Sequence, residues 1–276
     1  MIDLRNREFI LEAKKYNITE IGFVEAKPYN HMFDKEYKSV VVALFPYYCG
    51  MPDKSNISLY SRGKDYHIVI KEIFKNIFNG LSITDYEIFA DIGPKIDVEL
   101  ALFAGLGVKG TNGLLINEKY GSYVFVGYAL CNEEFEYSSL LNEGCMGCGM
   151  CVKSCPGKAI SEDGKVSVEK CLSHITQTKG GLSSSDAQKI VKSGLVFGCD
   201  VCQKVCPHNE NVCLTEIGEF SKSLIDNLYL SDLENISNKE FKLRFGDRAF
   251  SWRGKALLVR NLKYFGKLYE HNKTEG

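Results

Sequence analysis

The amino-acid sequence predicts a mixed α+β or α/β protein: an N-terminal α/β domain, a cysteine-rich segment and a short helical C-terminus. Helix and strand patterns alternate over residues 1–140, which is typical of an α/β domain. Nine of the eleven cysteines fall within residues 141–215. Apolar residues at helical spacing dominate residues 216–276. We therefore expect three consecutive domains with these boundaries.

The first elements of the N-terminal domain are a helix and two strands. Residues 1–17 have the spacing of an amphipathic helix, and we expect residues 9–11 (Phe-Ile-Leu) on its buried side. Apolar runs at 21–24 and 40–45 predict strands. The second run contains no polar residue, so this strand is expected to be buried on both faces.

Two helices and a strand follow in alternation. Isoleucine and phenylalanine recur at helical spacing over residues 64–79, and Gly80 marks the end of that helix. Residues 86–90 predict a short strand. Residues 95–104 then predict a helix closed by Gly105.

Two further strands close the domain. Residues 114–116 and 123–128 are rich in β-branched and aromatic side chains. The polar, glycine-containing stretch 117–121 between them favours a turn. We expect the two strands to pair with each other around this turn.

The glycines of residues 105–110 match the G-x-G-x-x-G expression of dinucleotide-binding folds. That fingerprint requires a strand before the glycines and a helix after them. Here a predicted helix precedes the glycines and strands follow, and no acidic residue occupies the ribose position. We therefore interpret these glycines as a helix end that allows close approach of the backbone.

The cysteines of the central segment fall in two runs. The first run, Cys145 to Pro156, has the C-x2-C-x2-C-x3-C-P spacing of bacterial ferredoxins, in which the fourth cysteine ligates the other cluster. The second, Cys199 to Pro207, lacks one cysteine, which Cys171 supplies from upstream. The eight thiolates predict two 4Fe-4S clusters. The expected ligand sets are Cys145, Cys148, Cys151 and Cys206 for one cluster, and Cys155, Cys171, Cys199 and Cys202 for the other.

Two alternatives stand beside this assignment. Paired C-x2-C motifs also form structural zinc sites, but these use four ligands in two pairs and do not end in C-x3-C-P. Cys171 is the ligand with the least support from spacing, and it could instead be a buried thiol. The three other cysteines, Cys49, Cys131 and Cys213, are expected to be ordinary buried thiols.

Composition favours a cytoplasmic protein. The N-terminus has no apolar core of a signal peptide and no twin arginine, and no apolar run approaches the length of about 18 residues needed to span a membrane. Iron–sulfur clusters need reduced thiols, which the cytoplasm maintains. We expect no membrane partner.

Charge is uneven along the chain, although the net charge is only −1. Between residues 242 and 267 the basic residues face a single acid, Asp247, and aromatic residues are interleaved with them. Such a segment could follow a phosphate backbone, or it could be the solvated face of an amphipathic helix. The basic residues are Lys242, Arg244, Arg248, Arg253, Lys255, Arg260, Lys263 and Lys267.

Several motifs, taken in order, resemble the epoxyqueuosine reductase family over roughly residues 20–265. Members of that family are cobalamin-dependent enzymes with two 4Fe-4S clusters, related to reductive dehalogenases. The motifs are 60–67 (YSRGKDYH), 91–94 (DIGP), 104–110 (AGLGVKG), 115–117 (LIN), 121–122 (GS), 171–173 (CLS) and 197–209 (FGCDVCQKVCPHN).

The resemblance implies an oxidoreductase that reduces epoxyqueuosine to queuosine at the wobble position of tRNA. Removing the epoxide oxygen needs two electrons, which low-potential clusters deliver singly, and an acid that helps the oxygen leave. Implied partners are tRNA, through the basic C-terminal segment, and a low-potential electron donor such as flavodoxin or ferredoxin. The implied N-terminal fold is nitroreductase-like and cobalamin-binding, and the implied central domain is ferredoxin-like.

By the same resemblance, the catalytic acid is Asp91 of the Asp-x-x-Pro motif. An aspartate shortly before a helix also suits an N-cap, which is the plain alternative. The implied cobalamin contacts lie on strands and beside the cysteines. They are Leu115, Val126, Ala129, Ser173 and Asp200.

The chain departs from the family pattern in places. Residues 107–111 read Gly-Val-Lys-Gly-Thr where the family commonly has Gly-Trp-x-Gly-Lys, and the chain ends where many members continue into helical repeats. The resemblance is thus to a short form. Two other functions stay open: reduction of a small molecule with the same cofactors, and electron transfer without catalysis. Asp91 favours an enzyme over a carrier, and the basic C-terminal segment favours tRNA.

Overall fold

The computed structural model describes residues 2–141 and 143–274, which divide into two compact units. The first unit comprises Met1–Cys49, Tyr66–Gly147 and Pro207–Ser221; the second comprises Gly50–Asp65, Cys148–Cys206 and Lys222–Gly276. Both units therefore draw on separate stretches of chain. The boundaries expected after residues 140 and 215 stay a prediction.

The first unit is built on a four-stranded sheet with the order β1-β2-β6-β3. The strands are β1 (Ile21–Glu25), β2 (Ser39–Pro46), β3 (Tyr86–Phe89) and β6 (Val124–Cys131). Every pair in this sheet is antiparallel. The mixed fold thus takes its α+β form, and the predicted positions of these strands are confirmed.

Helices cover both faces of the sheet. On one face lie α1 (Ile2–Lys14) and α2 (Tyr66–Gly80), since Phe9 packs edge-on against Phe23 and Phe78. The other face is covered by α3 (Asp97–Phe103), whose apolar residues share a core with the even-numbered residues of β2. Alternation of side chains along each strand produces these two cores.

One residue of the first helix differs from expectation. Phe9 is fully buried as predicted, but Leu11 is 63% exposed. Helical periodicity explains the difference, because residues two positions apart lie about 200° apart around the helix axis. Residues 9–11 therefore cannot share one buried face.

The predicted pairing of the last two strands is wrong. The strand β5 (Leu115–Ile116) pairs with β4 (Val108–Lys109), which the sequence did not indicate, and not with β6. Only the bridge between Asn117 and Gly121 remains of the expected turn contact. Strand β6 instead joins the four-stranded sheet, where it pairs with the buried strand β2 along its full length.

Short helices dominate the rest of the chain. Two of these helices, Ser184–Ser193 and Asn238–Phe245, are capped by the serine that precedes them. The hydroxyl oxygens of Ser183 and Ser237 each accept a hydrogen bond from the backbone amide three residues further along the chain. Of the helices described, none has the length and apolarity that a membrane crossing requires. The helices are α4 (Met150–Ser154), α5 (Leu172–Gln177), α6 (Ser184–Ser193), α7 (Val201–Lys204), α8 (Gly218–Ser221), α9 (Leu230–Leu233), α10 (Asn238–Phe245) and α11 (Lys255–Thr274).

A buried asparagine ties α11 to the rest of the second unit. The Asn261 side-chain amide donates to the carbonyl oxygens of Thr176 and Val196, both at 2.8 Å. Asn261 has no exposed surface, so these carbonyls have little access to water. The helical C-terminus expected from the sequence is therefore anchored by polar contacts as well as by Leu257 and Leu258.

Asn261→Ala should lower the thermal midpoint of the protein. The change leaves two buried carbonyl groups without donors, at a cost of about 2 to 4 kcal/mol, which corresponds to roughly 4 to 16 °C in Tm. Circular dichroism under anaerobic conditions measures this. The exposed residue Asn235 supplies the control Asn235→Ala, which should shift Tm by no more than about 2 °C. Equal shifts for the two variants would contradict the anchoring role.

Candidate functional site

Asp91 lies just beyond the end of β3, in a left-handed backbone conformation with φ +56°. Few residues adopt this conformation, and aspartate is among those that tolerate it best. The hydroxyl of Tyr66 donates to Asp91 Oδ2 at 2.6 Å. Asp91 is exposed, so its carboxyl group is held in place and remains accessible.

The N-cap alternative for Asp91 is wrong. The next helix, α3, begins at Asp97, and its N-cap position is occupied by Ile96. Asp91 is thus too far from the helix start to cap it. The carboxyl group is bonded instead to a tyrosine from another helix.

Sequence reasoning missed Tyr66 as a site residue. Tyr66 is the first residue of α2, and its ring stacks on Phe125 of β6 with centroids 4.2 Å apart. The His67 ring stacks on the Tyr66 ring, with centroids 4.1 Å apart. Tyr66 belongs to the family-like motif at 60–67, but only the folded sheet shows that it meets Asp91.

Tyr66 brings Asp91 close to β6, because its hydroxyl bonds to the Asp91 carboxyl group and its ring stacks on Phe125. The pairing of β3 with β6 ends at Phe89, which lies opposite Tyr128. No described strand pairs with Val124–Gly127 on this side of β6. The resulting gap at the sheet edge lies beside Asp91.

The three apolar positions expected to contact cobalamin differ in accessibility. Val126 is half-buried, Leu115 is nearly buried, and Ala129 has no exposed surface. Ala129 also pairs with Val41 on one side and with Ile88 on the other, so it lies between two neighbouring strands of the sheet. Val126 therefore offers the most surface to a ligand, and the role of all three stays a prediction.

A second carboxyl group, that of Asp97, lies six residues after Asp91 at the first position of α3. Burial raises the pKa of Asp97 to about 6, and the negative charge of Asp91 adds to this effect. Burial, with the charges of Asp97 and Glu87, also raises the pKa of Tyr128. The Tyr128 hydroxyl donates to the carbonyl oxygen of Pro94 at 3.4 Å, which connects β6 to the loop between Asp91 and α3.

The second unit contains a buried polar group around Asp200. Asp200 is 1% exposed, and its Oδ2 accepts a hydrogen bond from the amide of Leu59 at 2.8 Å. Among the described residues, its Oδ1 is buried without a hydrogen-bond donor. Burial raises the pKa of Asp200 to about 6. A ligand that offers a donor would satisfy this atom.

Tyr60 connects Asp200 with Ser173, another predicted cofactor contact. The half-buried Tyr60 side chain hydrogen-bonds to Ser173, and desolvation, followed by the charge of Asp200, raises its pKa. Gly198 makes this arrangement possible, because it has φ +73° and a Cβ there would lie 1.9 Å from Ser58 Oγ. The turn before Cys199 therefore requires glycine.

The four cysteines of the second predicted cluster interact with one another. Burial raises the pKa of the Cys199 thiol to about 11, and the charges of Asp200, Cys171 and Cys155 add to the shift. Burial likewise raises the pKa of Cys202 to about 12, with further contributions from the other three cysteines and from Cys151 of the other predicted set. The amide of Ala159 donates to Cys155 Sγ at 3.2 Å. Neighbouring half-buried thiolates favour a bound cation, which fits an iron–sulfur ligand set.

The other predicted ligand set draws on both units. Cys145 belongs to the first unit; Cys148, Cys151 and Cys206 belong to the second. Although burial raises its pKa, hydrogen bonds from Gly147 and Thr111 lower the pKa of the Cys145 thiol overall. Within residues 2–141 and 143–274, no three His, Cys, Asp or Glu side chains are arranged to hold a single metal ion. The assignment of all eight cysteines stays a prediction.

The remaining cysteines are less uniform than expected. Cys131 is buried, and burial raises the pKa of its thiol to about 12. Cys49 is half-buried, but Cys213 is exposed, so the expectation of a buried thiol is wrong at that position. Cys213 lies in a polar loop where its amide bonds to the carbonyl oxygen of Lys119.

Two family profiles match the chain. Residues 144–209 match the 4Fe-4S double cluster binding domain, and residues 30–91 match the profile described as "Epoxyqueuosine reductase QueG, DUF1730". An epoxyqueuosine reductase of Listeria monocytogenes is 32% identical over 273 residues, covering 92% of this chain and 71% of the relative. The chain belongs to the epoxyqueuosine reductase family.

Another family member, the epoxyqueuosine reductase of Lactococcus garvieae, is 37% identical over 216 residues. The match covers 76% of this chain but only 61% of that relative. The chain thus spans less than two thirds of the length of this family member.

Solved structures of epoxyqueuosine reductases share the mixed α/β fold. The structure from Streptococcus thermophilus is 28% identical with a TM-score of 0.81, covering 94% of this chain and 80% of that one. A structure with an epoxyqueuosine-modified tRNA-Tyr stem loop has a TM-score of 0.79 at 28% identity and covers 95% of this chain and 80% of that one. A B12-dependent reductive dehalogenase, 15% identical with a TM-score of 0.54, shares the fold over 97% of this chain and 37% of its own.

Replacement of Cys171 tests the weakest cluster ligand. Cys171→Ala should reduce the iron content from about eight to about four per chain, because one cluster loses a ligand. Iron analysis after anaerobic reconstitution measures this. Cys213→Ala, a change at an exposed cysteine outside the predicted sets, should leave the iron content unchanged. Full iron retention in Cys171→Ala would assign Cys171 as a free thiol.

Asp97→Asn should stabilise the protein at neutral pH but not in acid. The native pKa of about 6 exceeds the ordinary value of 3.8, so the native state binds the extra proton. Stability is therefore lost as pH rises from about 4 to 6, and it stays lower above that range. Allowing for partial exposure, Asp97→Asn should gain about 1 kcal/mol, or roughly 2 to 4 °C in Tm, at pH 7.5.

The gain from Asp97→Asn should shrink toward pH 4.5, where the native carboxyl group is already protonated. Thermal scans at the two pH values measure it, with the exposed Asp34→Asn as control. A gain of equal size at both pH values would rule out ionisation as its cause.

Proposed function

We propose that this chain is a cobalamin- and iron–sulfur-dependent reductase that converts epoxyqueuosine to queuosine in tRNA. The observation that carries the proposal is the exposed Asp91 carboxyl group, which Tyr66 holds at the edge of the sheet. An electron carrier has no need of a positioned acid. A reductase that must expel an oxygen atom does need one.

The donor chemistry of the second unit fits two 4Fe-4S clusters. The thiols of Cys155, Cys171, Cys199 and Cys202 lie close enough for their charges to interact, and cluster iron would relieve that repulsion. Cys145, Cys148, Cys151 and Cys206 would hold the other cluster. The amide that donates to Cys155 Sγ is of the kind that raises a cluster's reduction potential. This central segment would be ferredoxin-like.

Each unit carries candidate contacts for cobalamin. In the first unit, which we propose to be nitroreductase-like, Val126 lies in the part of β6 that β3 leaves unpaired, and Leu115 lies on β5. In the second unit, the unsatisfied Oδ1 of Asp200 would accept a hydrogen bond from a polar group of the cofactor. Ser173 lies beside it through Tyr60. When bound, the cofactors supply the reducing electrons and a metal centre at the epoxide.

Asp91 would act as the acid. Loss of the epoxide oxygen as water takes two electrons and two protons, and a carboxyl group near the breaking C–O bond would deliver a proton to that oxygen. Tyr66 would orient the carboxyl group, since its hydroxyl occupies Oδ2 and leaves Oδ1 for the substrate. The stacking of Tyr66 on Phe125 fixes the hydroxyl in turn. In a Bacillus subtilis relative, 27% identical with a TM-score of 0.79, the catalytic loop likewise carries an aspartate.

The substrate and partners rest on two supports. A relative binds an epoxyqueuosine-modified tRNA stem loop. In this chain, Lys242 and Arg244 of α10 and the basic residues at the start of α11 supply positive charge for a phosphate backbone. Lys267 of that predicted segment lies outside the residues whose side chains are described. A low-potential flavodoxin or ferredoxin would donate the electrons, and the reaction would take place in the cytoplasm.

Substitution of Asp91 tests the proposal. After anaerobic reconstitution with iron, sulfide and cob(II)alamin, the chain should retain about eight irons and about one cobalt. With a chemical reductant, it should convert epoxyqueuosine-tRNA stem loop. Asp91→Asn should slow single-turnover conversion by about 10² to 10⁴-fold, and Tyr66→Phe should slow it by about tenfold.

The control is Asp34→Asn, the same change at an exposed aspartate of the first unit, which should leave the rate unchanged. All variants should hold the same iron and cobalt. Failure of the chain to retain cobalt would leave a two-cluster electron carrier. Cobalt retention without conversion of the RNA would point to a small-molecule reductase.

A further inference from the structure

A cavity of about 440 Å³ opens in the second unit, between α10 and the turn that precedes α11. Its size falls within the range of small-ligand pockets. The residues used in the following argument are Lys242 of α10, Trp252 and Arg253 of the turn, and Lys255 at the start of α11. We call this the Trp252 pocket. It belongs to neither predicted ligand set and contains none of the expected cobalamin contacts.

The tryptophan is fixed but exposed. Its Nε1 donates to Gln177 Oε1 at 2.9 Å, which holds the plane of the ring. The guanidinium carbon of Arg253 lies 3.6 Å from the centroid of the indole, over one face. Trp252 is nevertheless 56% exposed, so the opposite face is open to a flat group.

The pocket is positively charged. Among the described residues, neither Lys242 nor Arg253 pairs with a carboxylate, and the buried Nε of Arg253 has no hydrogen-bond acceptor. The nearest acids are already neutralised: Glu240 pairs with Arg244, and Asp247 pairs with Arg248. An anion would therefore meet no competing negative charge from these residues.

The start of α11 adds donors to the same wall. Lys255 opens this helix, and the first-turn amides of a helix have no partner within it. Gly254, with φ +85°, makes the sharp turn that directs the chain into the helix. The Lys255 ammonium group donates to the carbonyl oxygen of Ile236, which leaves Lys242 and Arg253 as the cations available to a ligand.

We propose that the Trp252 pocket binds one nucleotide of a single-stranded RNA segment. The base stacks on the open face of Trp252, and its phosphate is held by Arg253, Lys242 and the amides at the start of α11. Stacking on an aromatic ring combined with cationic grip of the backbone is how single strands are bound. A base within a duplex cannot reach the ring, so duplex RNA is excluded. The inference rests on the proposed function in that RNA is the substrate.

Binding of unmodified RNA by the full-length holoprotein tests the inference without any turnover. The probe is a fluorescein-labelled single-stranded RNA of about seven nucleotides, titrated anaerobically and followed by anisotropy. Trp252 is the only tryptophan of the chain, so quenching of its emission reports directly on stacking. The same sequence as a duplex is the comparison ligand.

Four variants separate stacking from charge. Trp252→Ala should weaken binding by about tenfold or more with an unchanged salt slope, while Trp252→Phe should restore most of the affinity. Arg253→Gln should weaken binding and reduce the slope of log K against log salt by about 0.7. Lys239→Gln, a matched charge loss at an exposed residue of α10 outside the pocket, should weaken binding no more than twofold. Equal Tm values would show that each variant is folded.

The outcomes separate this inference from the proposed function. If Trp252→Ala and Arg253→Gln bind like Lys239→Gln, or if the duplex binds as tightly as the single strand, the pocket assignment is overturned even when the enzyme converts its tRNA substrate. If the variants lose single-strand binding while the wild-type chain shows no conversion, the pocket stands and the proposed reaction falls. A wild-type chain that binds no RNA overturns the pocket.

Discussion

Strand β6 is the constraint on which the first unit depends. Its neighbours β2 and β3 pair with it from both sides, but β3 stops at Phe89 and leaves the stretch Val124–Gly127 uncovered. Phe125, in that stretch, is the platform for Tyr66. Tyr128, one residue into the paired part, supports the loop through Pro94. One strand thus aligns the acid, the residue that holds it and the gap beside it.

Sequence analysis succeeds where the signal is local. The periodicity of 64–79 and the apolar run at 40–45 depend on neighbours along the chain, and the helix and strand they predict lie at those positions. The spacing of the cysteines is equally local, and residues 144–209 match a 4Fe-4S double cluster binding domain. The pairing of β5 failed because partner choice depends on contacts distant in sequence. Tyr66 was missed for the same reason, since Asp91 is 25 residues away and the hydrogen bond exists only after α2 packs on the sheet.

In the second unit, the thiols of Cys199 and Cys202 and the carboxyl group of Asp200 lie close together with limited access to water. Burial opposes ionisation of Cys199, Cys202 and Asp200 alike. Without a cation, ionisation of these groups in one buried place is costly. The close turn at Gly198 and the polar network around Tyr60 keep them there nonetheless. A bound cation would offset the cost of ionising these groups, whereas an apolar core would not.

Three aspartates near the predicted cofactor contacts differ in what their surroundings permit. Asp200 is buried in the second unit, and Asp97 is half-buried at the start of α3, where burial raises the pKa of its carboxyl group. Asp91 is exposed, and a single hydrogen bond from Tyr66 fixes one of its oxygens. The left-handed backbone at Asp91 carries a small conformational cost, which the bond to Tyr66 offsets. Accessibility combined with fixed orientation is what proton delivery to a bound epoxide requires, and of these three only Asp91 has both.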